Sequence, residues 1–264
     1  VKLGLIIIVT AFLIALFAPF LAPTGLNVFD LSSRLQGPTV GHPFGFDDEG
    51  RDLLTLVIWG TRISMIVSVA TVLVAGTVGT LIGLTAGYFR QCDRIFIFIT
   101  DVVLSFPSIL LIIALAAFQR ETGLMTVILI LSAVGWVSYA RIVRGQVLTL
   151  REREYVQASV GLGASTGRIW RKHLLPNLMA PLLVNATFGM AGVILAESTL
   201  SFLGIGLPAD IPSWGRLLDQ GVQYLLIAPH LSIFPGVAIA LLILGFNFLG
   251  DGLRDHLDVK GGVK

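Results

Sequence analysis

Residues 63–89 read ISMIVSVATVLVAGTVGTLIGLTAGYF, without a single Lys, Arg, Asp or Glu. A bilayer core about 30 Å thick is crossed by about 20 apolar residues in a helix that rises about 1.5 Å per residue. The run is long enough, and it does not alternate, so it reads as a membrane-spanning helix and not as a strand of a barrel. Within it Ala75, Gly79, Gly83 and Gly87 recur at every fourth position. Such a ridge of small residues lets a second helix approach closely, which makes Gly79, Gly83 and Gly87 expected packing positions.

Outward from this run the pattern repeats. Residues 3–29, 102–119, 122–140 and 174–196 also lack formal charge, and 220–250 holds only His230. Six spans are expected near 3–22, 62–88, 95–117, 124–145, 178–200 and 230–249. The composition agrees: 55% of the 264 residues are hydrophobic and 13% charged, against about 25% charged in soluble domains, and mean hydropathy is +0.88. Disordered and collagen-like chains are excluded. The fold class expected is all-α, a polytopic membrane protein with six transmembrane helices. The first run is longer than a signal-peptide core, and prolines at 19 and 23 follow it in place of a cleavage pattern. Cys92 is the only cysteine, so no internal disulfide forms.

Orientation is read from Lys and Arg. With the N-terminus in the cytoplasm, 13 of the 18 lie inside, and Arg34, Arg51, Arg62, Arg120 and Arg216 lie outside. Both ends of this chain are therefore expected on the cytoplasmic side. Trp59, Trp136, Tyr139, Trp214 and Tyr224 fall near span ends, where amphipathic rings sit. The external loop 23–60 and the segment 201–229 are rich in turn-forming residues, and the latter reads as a re-entrant or surface segment.

The internal loop 146–177 differs from the rest. Glu154 opens it after alternating charges, Tyr155–Leu162 reads as a short helix, and Gly163 suits its C-cap. Ser165 or Thr166 suits the N-cap of a second short helix over 167–175, which Pro176 is expected to end before the fifth span. Ala158, Ser159, Gly161, Gly163 and Ala164 give this knob a small-residue surface. Composition alone leaves two readings open: a docking knob, or a solvated basic loop that only sets topology. Motifs of catalysis are missing: no G-x-x-x-x-G-K-[ST], no H-E-x-x-H, no zinc-spaced Cys/His set and no G-x-S-x-G occur.

At this loop the chain resembles the permease subunits of binding-protein-dependent ABC importers, whose signature is E-A-A-x3-G-x9-I-x-L-P. Gln157-Ala158-Ser159, Gly163, His173 and Leu175-Pro176 stand at the signature positions, with Gln, Ser and His as departures. The likeness is nearer to the dipeptide/oligopeptide/nickel branch, C-subunit type. It extends through His42–Asp47 with Gly50–Asp52, Ala86–Phe89, Tyr139–Arg141 with Val143–Gly145, Arg151–Tyr155, His173–Asn177, Leu200–Gly204, Pro212–Gly215, Ala228-Pro229 and Phe246–Asp255. Phe98 stands where the branch often has Arg, and the turn after Phe89 is a residue short.

The resemblance implies a type-I ABC importer permease, MetI-like in fold, in a bacterial inner membrane. It implies a first helix with external loop (1–59), a transmembrane domain (60–250) and a cytoplasmic tail (251–264). Its partners would be a second, homologous permease, two cytoplasmic ATPase subunits and an extracytoplasmic solute-binding protein, in a lipid setting and with no nucleic acid. The chain would bind no cofactor or metal and catalyse nothing itself; ATP and Mg would belong to the ATPase subunits. Coupling would run through Glu154, Gln157, Ala158, Ser159, Gly163, Ala164, Ser165, His173 and Pro176. Asp101 and Glu197 are acids within expected spans, where an ionised group costs about 2.5–3.5 kcal/mol at the centre and so faces a partner or a water path. Both are candidates for the translocation path or its gate. A secondary transporter and a solute-free scaffold are the competing classes, separated by co-purification with ATPase subunits and by the ATP dependence of uptake.

Overall fold

The computed structural model describes residues 2–119 and 123–261. Arg120 and Lys264, both counted in orienting the chain, and the centre of the 119–123 loop lie outside the described residues. The helices in order are α1 (Lys2–Leu21), α2 (Leu53–Tyr88), α3 (Arg90–Leu104), α4 (Ser108–Ala117), α5 (Leu124–Leu150), α6 (Glu154–Gly161), α7 (Thr166–Ile169), α8 (Leu175–Phe202), α9 (Trp214–Gln223) and α10 (His230–Gly261). Among the described residues the extended structure is limited to an isolated bridge between Phe46 and Asp52. Five helices are long and apolar enough to cross a membrane, and six spans result if the bent pair α3–α4 counts as one.

That pair stands where one helix was expected near 95–117. Its two halves meet at 82°. The break falls at Ser105-Phe106-Pro107, where proline offers no N–H and pushes the residue before it out of the helical region. Helix α2 has 36 residues, which makes it about 54 Å long, and it starts well before residue 62. It runs through the division drawn at residue 60, and α10 runs through 250, so both boundaries fall inside continuous helices.

The seam of the bundle lies between α2 and α5. A Cβ on Gly79 would stand 2.5 Å from the Trp136 carbonyl oxygen, one on Gly83 2.5 Å from that of Ala140, and one on Gly87 2.7 Å from Val147 Cβ. Because α2 projects no side chain there, the α5 backbone and the first side-chain atoms of Tyr139, Val143 and Val147 rest directly on the glycines. Apolar clusters fill both ends of the seam: Leu84, Val143, Val147 and Leu178 at one, Val67, Ile128, Leu131 and Leu200 at the other. Helix α4 lies on α5, with Ile112 and Ala116 against Val127 and Ile128.

The loop between α1 and α2 is folded onto the bundle. Asp52 caps α2 by accepting from Thr55 N at 2.7 Å and holds His42 Nδ1 at 2.6 Å. Asp47 accepts from the backbone N–H groups of Glu49 and Arg51 and pairs with Arg51 Nε at 2.7 Å. Phe44 stacks on Phe234 of α10. Helix α9 presses into the bundle beside α8, with Trp214 buried and its indole N–H donating to the Val57 carbonyl at 3.0 Å. Gly60 leaves the space that the indole ring occupies.

The seam makes a direct prediction. Gly83→Val places a branched side chain where the α5 backbone already stands, and overpacking costs about 1–3 kcal/mol or more. Folded yield and thermal unfolding temperature in detergent should drop clearly. Gly145→Ala, whose Cβ would meet nothing within 4 Å, should be neutral or slightly stabilising. Equal stability of the two variants would contradict the seam.

Candidate functional site

Two places concentrate polar and exposed groups: the knob between α5 and α8, and a cleft beside α5. The knob begins where α5 ends at Leu150. Arg153 is extended (φ −70°, ψ 140°) and turns the chain into α6. At the other end of α6, Gly163 has φ +79°. Its N–H donates to Val160 O at 2.9 Å, and Ala164 N–H donates to Ser159 O at 3.0 Å. This pair of bonds is the Schellman closure, which favours glycine because other residues are strained at that φ. Ser165 is extended before α7 but makes no side-chain cap bond.

Pro176 does not end the second helix. Trp170–Leu174 form a π turn that runs directly into α8, and Pro176 sits in the first turn of α8. Proline is tolerated there because the wide turn has already released the i→i−4 pattern that it would interrupt. The Asn177 side-chain amide donates to His173 O at 2.6 Å across the same turn.

The knob has two faces. Val156, Ile169 and Leu174 point inward and pack with Leu84, Val143, Val147 and Leu178. Tyr155, Val160 and Leu162 point outward, Leu162 with 89% of its surface exposed. Glu154, Gln157, Ala158, Gly163 and Ser165 share the exposed surface, and Ser159, Ala164 and His173 are half-buried. The Ser159 hydroxyl donates to Tyr155 O at 2.9 Å, so the His173 Nε2 atom 3.1 Å away must carry the proton between them. His173 thereby ties α6 to the π turn. Gln157 Nε2 donates to Arg151 O at 2.8 Å. Arg151 Nη1 donates to the Gly87 carbonyl at the end of α2, at 3.1 Å, and fastens the knob to the seam. This clamp and the outward Leu162 were not singled out from the sequence; only the run of alternating charges hinted at the former.

The cleft, about 730 Å³, lies between α2, the α3–α4 bend, α5 and α8. Val72, Val103, Phe106, Val134, Phe188 and Val193 make its walls apolar, while Thr71, Ser138, Arg141 and Asn185 add polar groups. Ser138 Oγ donates to Asn185 Oδ1 across the cleft at 3.4 Å. A second hollow of about 370 Å³ shares Ile142, Asn185 and Phe188 with it and adds Gln146 and Arg254. The two hollows form one groove along α5 and α8.

Neither acid singled out from the sequence lines this groove. Asp101 is exposed on α3 beside Phe98 and Val102, also exposed. Glu197 is enclosed, with 1% of its surface exposed. Its Oε1 accepts from the Ser201 hydroxyl at 2.8 Å; Ser64 of α2, Ser198 of α8 and Ser213 at the cap of α9 lie near, but Oε2 and the Ser64 and Ser198 hydroxyls make no hydrogen bond. The carboxyl thus sits where α2, α8 and α9 meet. A third acid, Asp93, was not expected. Its carboxylate takes two bonds from the Arg144 guanidinium, joining α3 to α5, and the guanidinium also lies 5.8 Å from the Phe96 ring centre. Among the described residues no cluster of three or more His, Cys, Asp or Glu is placed to hold a metal ion.

Comparison with known proteins places this geometry. The family model described as "Binding-protein-dependent transport system inner membrane component" matches residues 79–260. The chain is 43% identical to the dipeptide transport system permease protein DppC of Alkalihalophilus pseudofirmus, over 97% of this chain and 84% of that protein. It is 40% identical to the oligopeptide transport system permease protein OppC of Bacillus subtilis, over 97% and 84%. Among solved structures, an inward-facing MetNI methionine ABC transporter chain superposes with a TM-score of 0.59 at 20% identity, covering 77% of this chain and 97% of that one; this likeness is one of fold. The chain is therefore a multi-pass, all-α membrane protein with the MetI-like fold, and it belongs to the family of inner-membrane permease components of binding-protein-dependent transport systems.

Proposed function

We propose that the chain forms half of the translocation path of an ATP-driven importer for di- or oligopeptides, the other half coming from a second, similar permease. The relatives' names supply the substrate class, and the cleft, apolar with a few polar groups, suits a small zwitterion with variable side chains. The observation that carries the reading is the knob: an exposed apolar tip on a closed helical turn, braced by an apolar underside and by Arg151 on Gly87 O. Such a part transmits a push without deforming. An ATPase subunit grips Tyr155, Val160 and Leu162 together with Gln157, Ala158 and Gly163, and its closure on ATP moves the knob with α5 and α8 as a body. In this reading the ATPases are separate chains, the knob and both chain ends lie in the cytoplasm, and a solute-binding protein docks on the opposite face, near the 201–229 segment. Glu197 belongs to the gate on that face, holding α9 against α2 and α8. Exposed Asp101 on α3 faces the partner permease.

The first test is assembly. The chain should co-purify with ATPase subunits and a second permease, and peptide uptake in vesicles should stop when ATP is withdrawn. Uptake that continues without ATP, driven by an ion gradient, would place the chain among secondary transporters.

Gly163→Asp should abolish ATP hydrolysis stimulated by the binding protein, and uptake with it, while leaving membrane insertion unchanged. Asp and Asn both tolerate the left-handed conformation better than most residues, so Gly163→Asn serves as the backbone control and should keep clearly more activity. Normal uptake by Gly163→Asp would remove the coupling role from this turn.

Glu197→Ala strips the Ser201 hydroxyl of its acceptor inside a closed site, a loss of about 1–3 kcal/mol. Uptake should fall while ATPase-subunit binding stays intact. Unchanged uptake would end the gate assignment.

A further inference from the structure

We propose that Arg141 is the residue of this chain that engages the negatively charged group of the substrate in transit, taking the carboxylate of a peptide as it passes through the cleft. This deepens the peptide-import reading above and rests on it. The larger hollow is lined by many apolar side chains and a few neutral polar ones, and among the described residues Arg141 is the single formally charged one in that lining. Its side chain is exposed to the cleft and makes no ion pair with any described carboxylate. One turn further along the same helix, Arg144 shows what a structural arginine looks like here: both oxygens of Asp93 meet its guanidinium, and an aromatic ring covers it. The two arginines differ in partner, not in kind.

Arg141 stands about two thirds of the way along α5, toward its cytoplasmic end in this reading, and a charge there that opens on largely apolar walls with no described carboxylate beside it marks a ligand or ion path. The chemistry fits a carboxylate, because the planar fork of arginine donates two parallel bonds to its two oxygens. The surroundings fit the rest of a peptide. Ser138 lies one turn before Arg141 on α5 and Asn185 faces it from α8, joined only by a long 3.4 Å bond that a peptide amide can replace. Val134, Phe188 and Val193 offer side chains an apolar wall without directional demands. The cleft thus reads the terminal charge that peptides share and ignores the side chains in which they differ. Contact with a single arginine is also weak enough to release, as conduction through a path requires.

The test uses the assembled importer in liposomes, with partner permease, ATPase subunits and binding protein, and measures radiolabelled dipeptide taken up per ATP hydrolysed. Arg141→Lys, which keeps the charge but loses the second bond of the fork, should fall about three-fold. Arg141→Gln should fall about ten-fold, and Arg141→Glu further, in line with loss of a charge-assisted contact. Stimulated ATP hydrolysis should persist in all three, which also reports that they fold and assemble. The proposal is overturned if Arg141→Gln transports as many peptides per ATP as the parent, if Arg141→Lys falls as far as Arg141→Gln, or if all three lose stimulated hydrolysis together. A parent complex that imports no dipeptide overturns the peptide reading itself, and the role of Arg141 with it; the parent measurement separates the two failures.

Discussion

Where Gly79, Gly83 and Gly87 of α2 meet α5, α2 contributes no side chain to the contact, and a single methyl group at any of the three would collide with the facing helix. Lipid offers helices no hydrophobic reason to associate, so close van der Waals approach has to supply the adhesion. This seam supplies it along much of α5, the helix on which the rest hangs. Ser138 and Arg141 stand on one side of α5 toward the cleft, Arg144 pairs with α3, and the knob follows directly from its end. Loosening the seam would displace cleft and knob together.

The knob extends the same logic. Its closed turn at Gly163, the histidine bridge between α6 and the π turn, and the Arg151 bond to Gly87 O leave it few soft torsions. Its underside shares one apolar cluster with α2, α5 and α8. A force on the exposed tip is therefore delivered to the ends of three long helices. At the other end of the bundle the packing has another character: the loop between α1 and α2 is stitched by Asp47 and Asp52, and α9 is wedged in by the buried Trp214.

The charged groups within the bundle are met in different ways. Asp93 and Arg144 neutralise each other, and enclosed Glu197 is held at Oε1 by the Ser201 hydroxyl. Ser138 and Asn185 bond to each other across the cleft. Arg141, the one charge among the described residues lining the cleft, pairs with no described carboxylate.

Much of this was legible in the amino-acid order. Charge-free runs located the spans, because a charge inside hydrocarbon is too costly to hide in a hydropathy average. The turn at Gly163 was legible from a glycine placed between two short helical patterns, and the loop residues carried the family likeness. Other features escaped. The bend at Pro107 lies inside an apolar run, and a missing N–H does not register in hydropathy. Pro176 looked like a stop because the π turn that accommodates it depends on how Trp170 and Leu174 are packed from below. Arg141 and Arg144 are alike in sequence context, one turn apart on one helix. Only the tertiary structure decided which would be quenched and which would face the cleft, because that depends on which neighbouring helix brings a carboxylate within reach, and Asp93 comes from a helix whose position the α3–α4 bend sets.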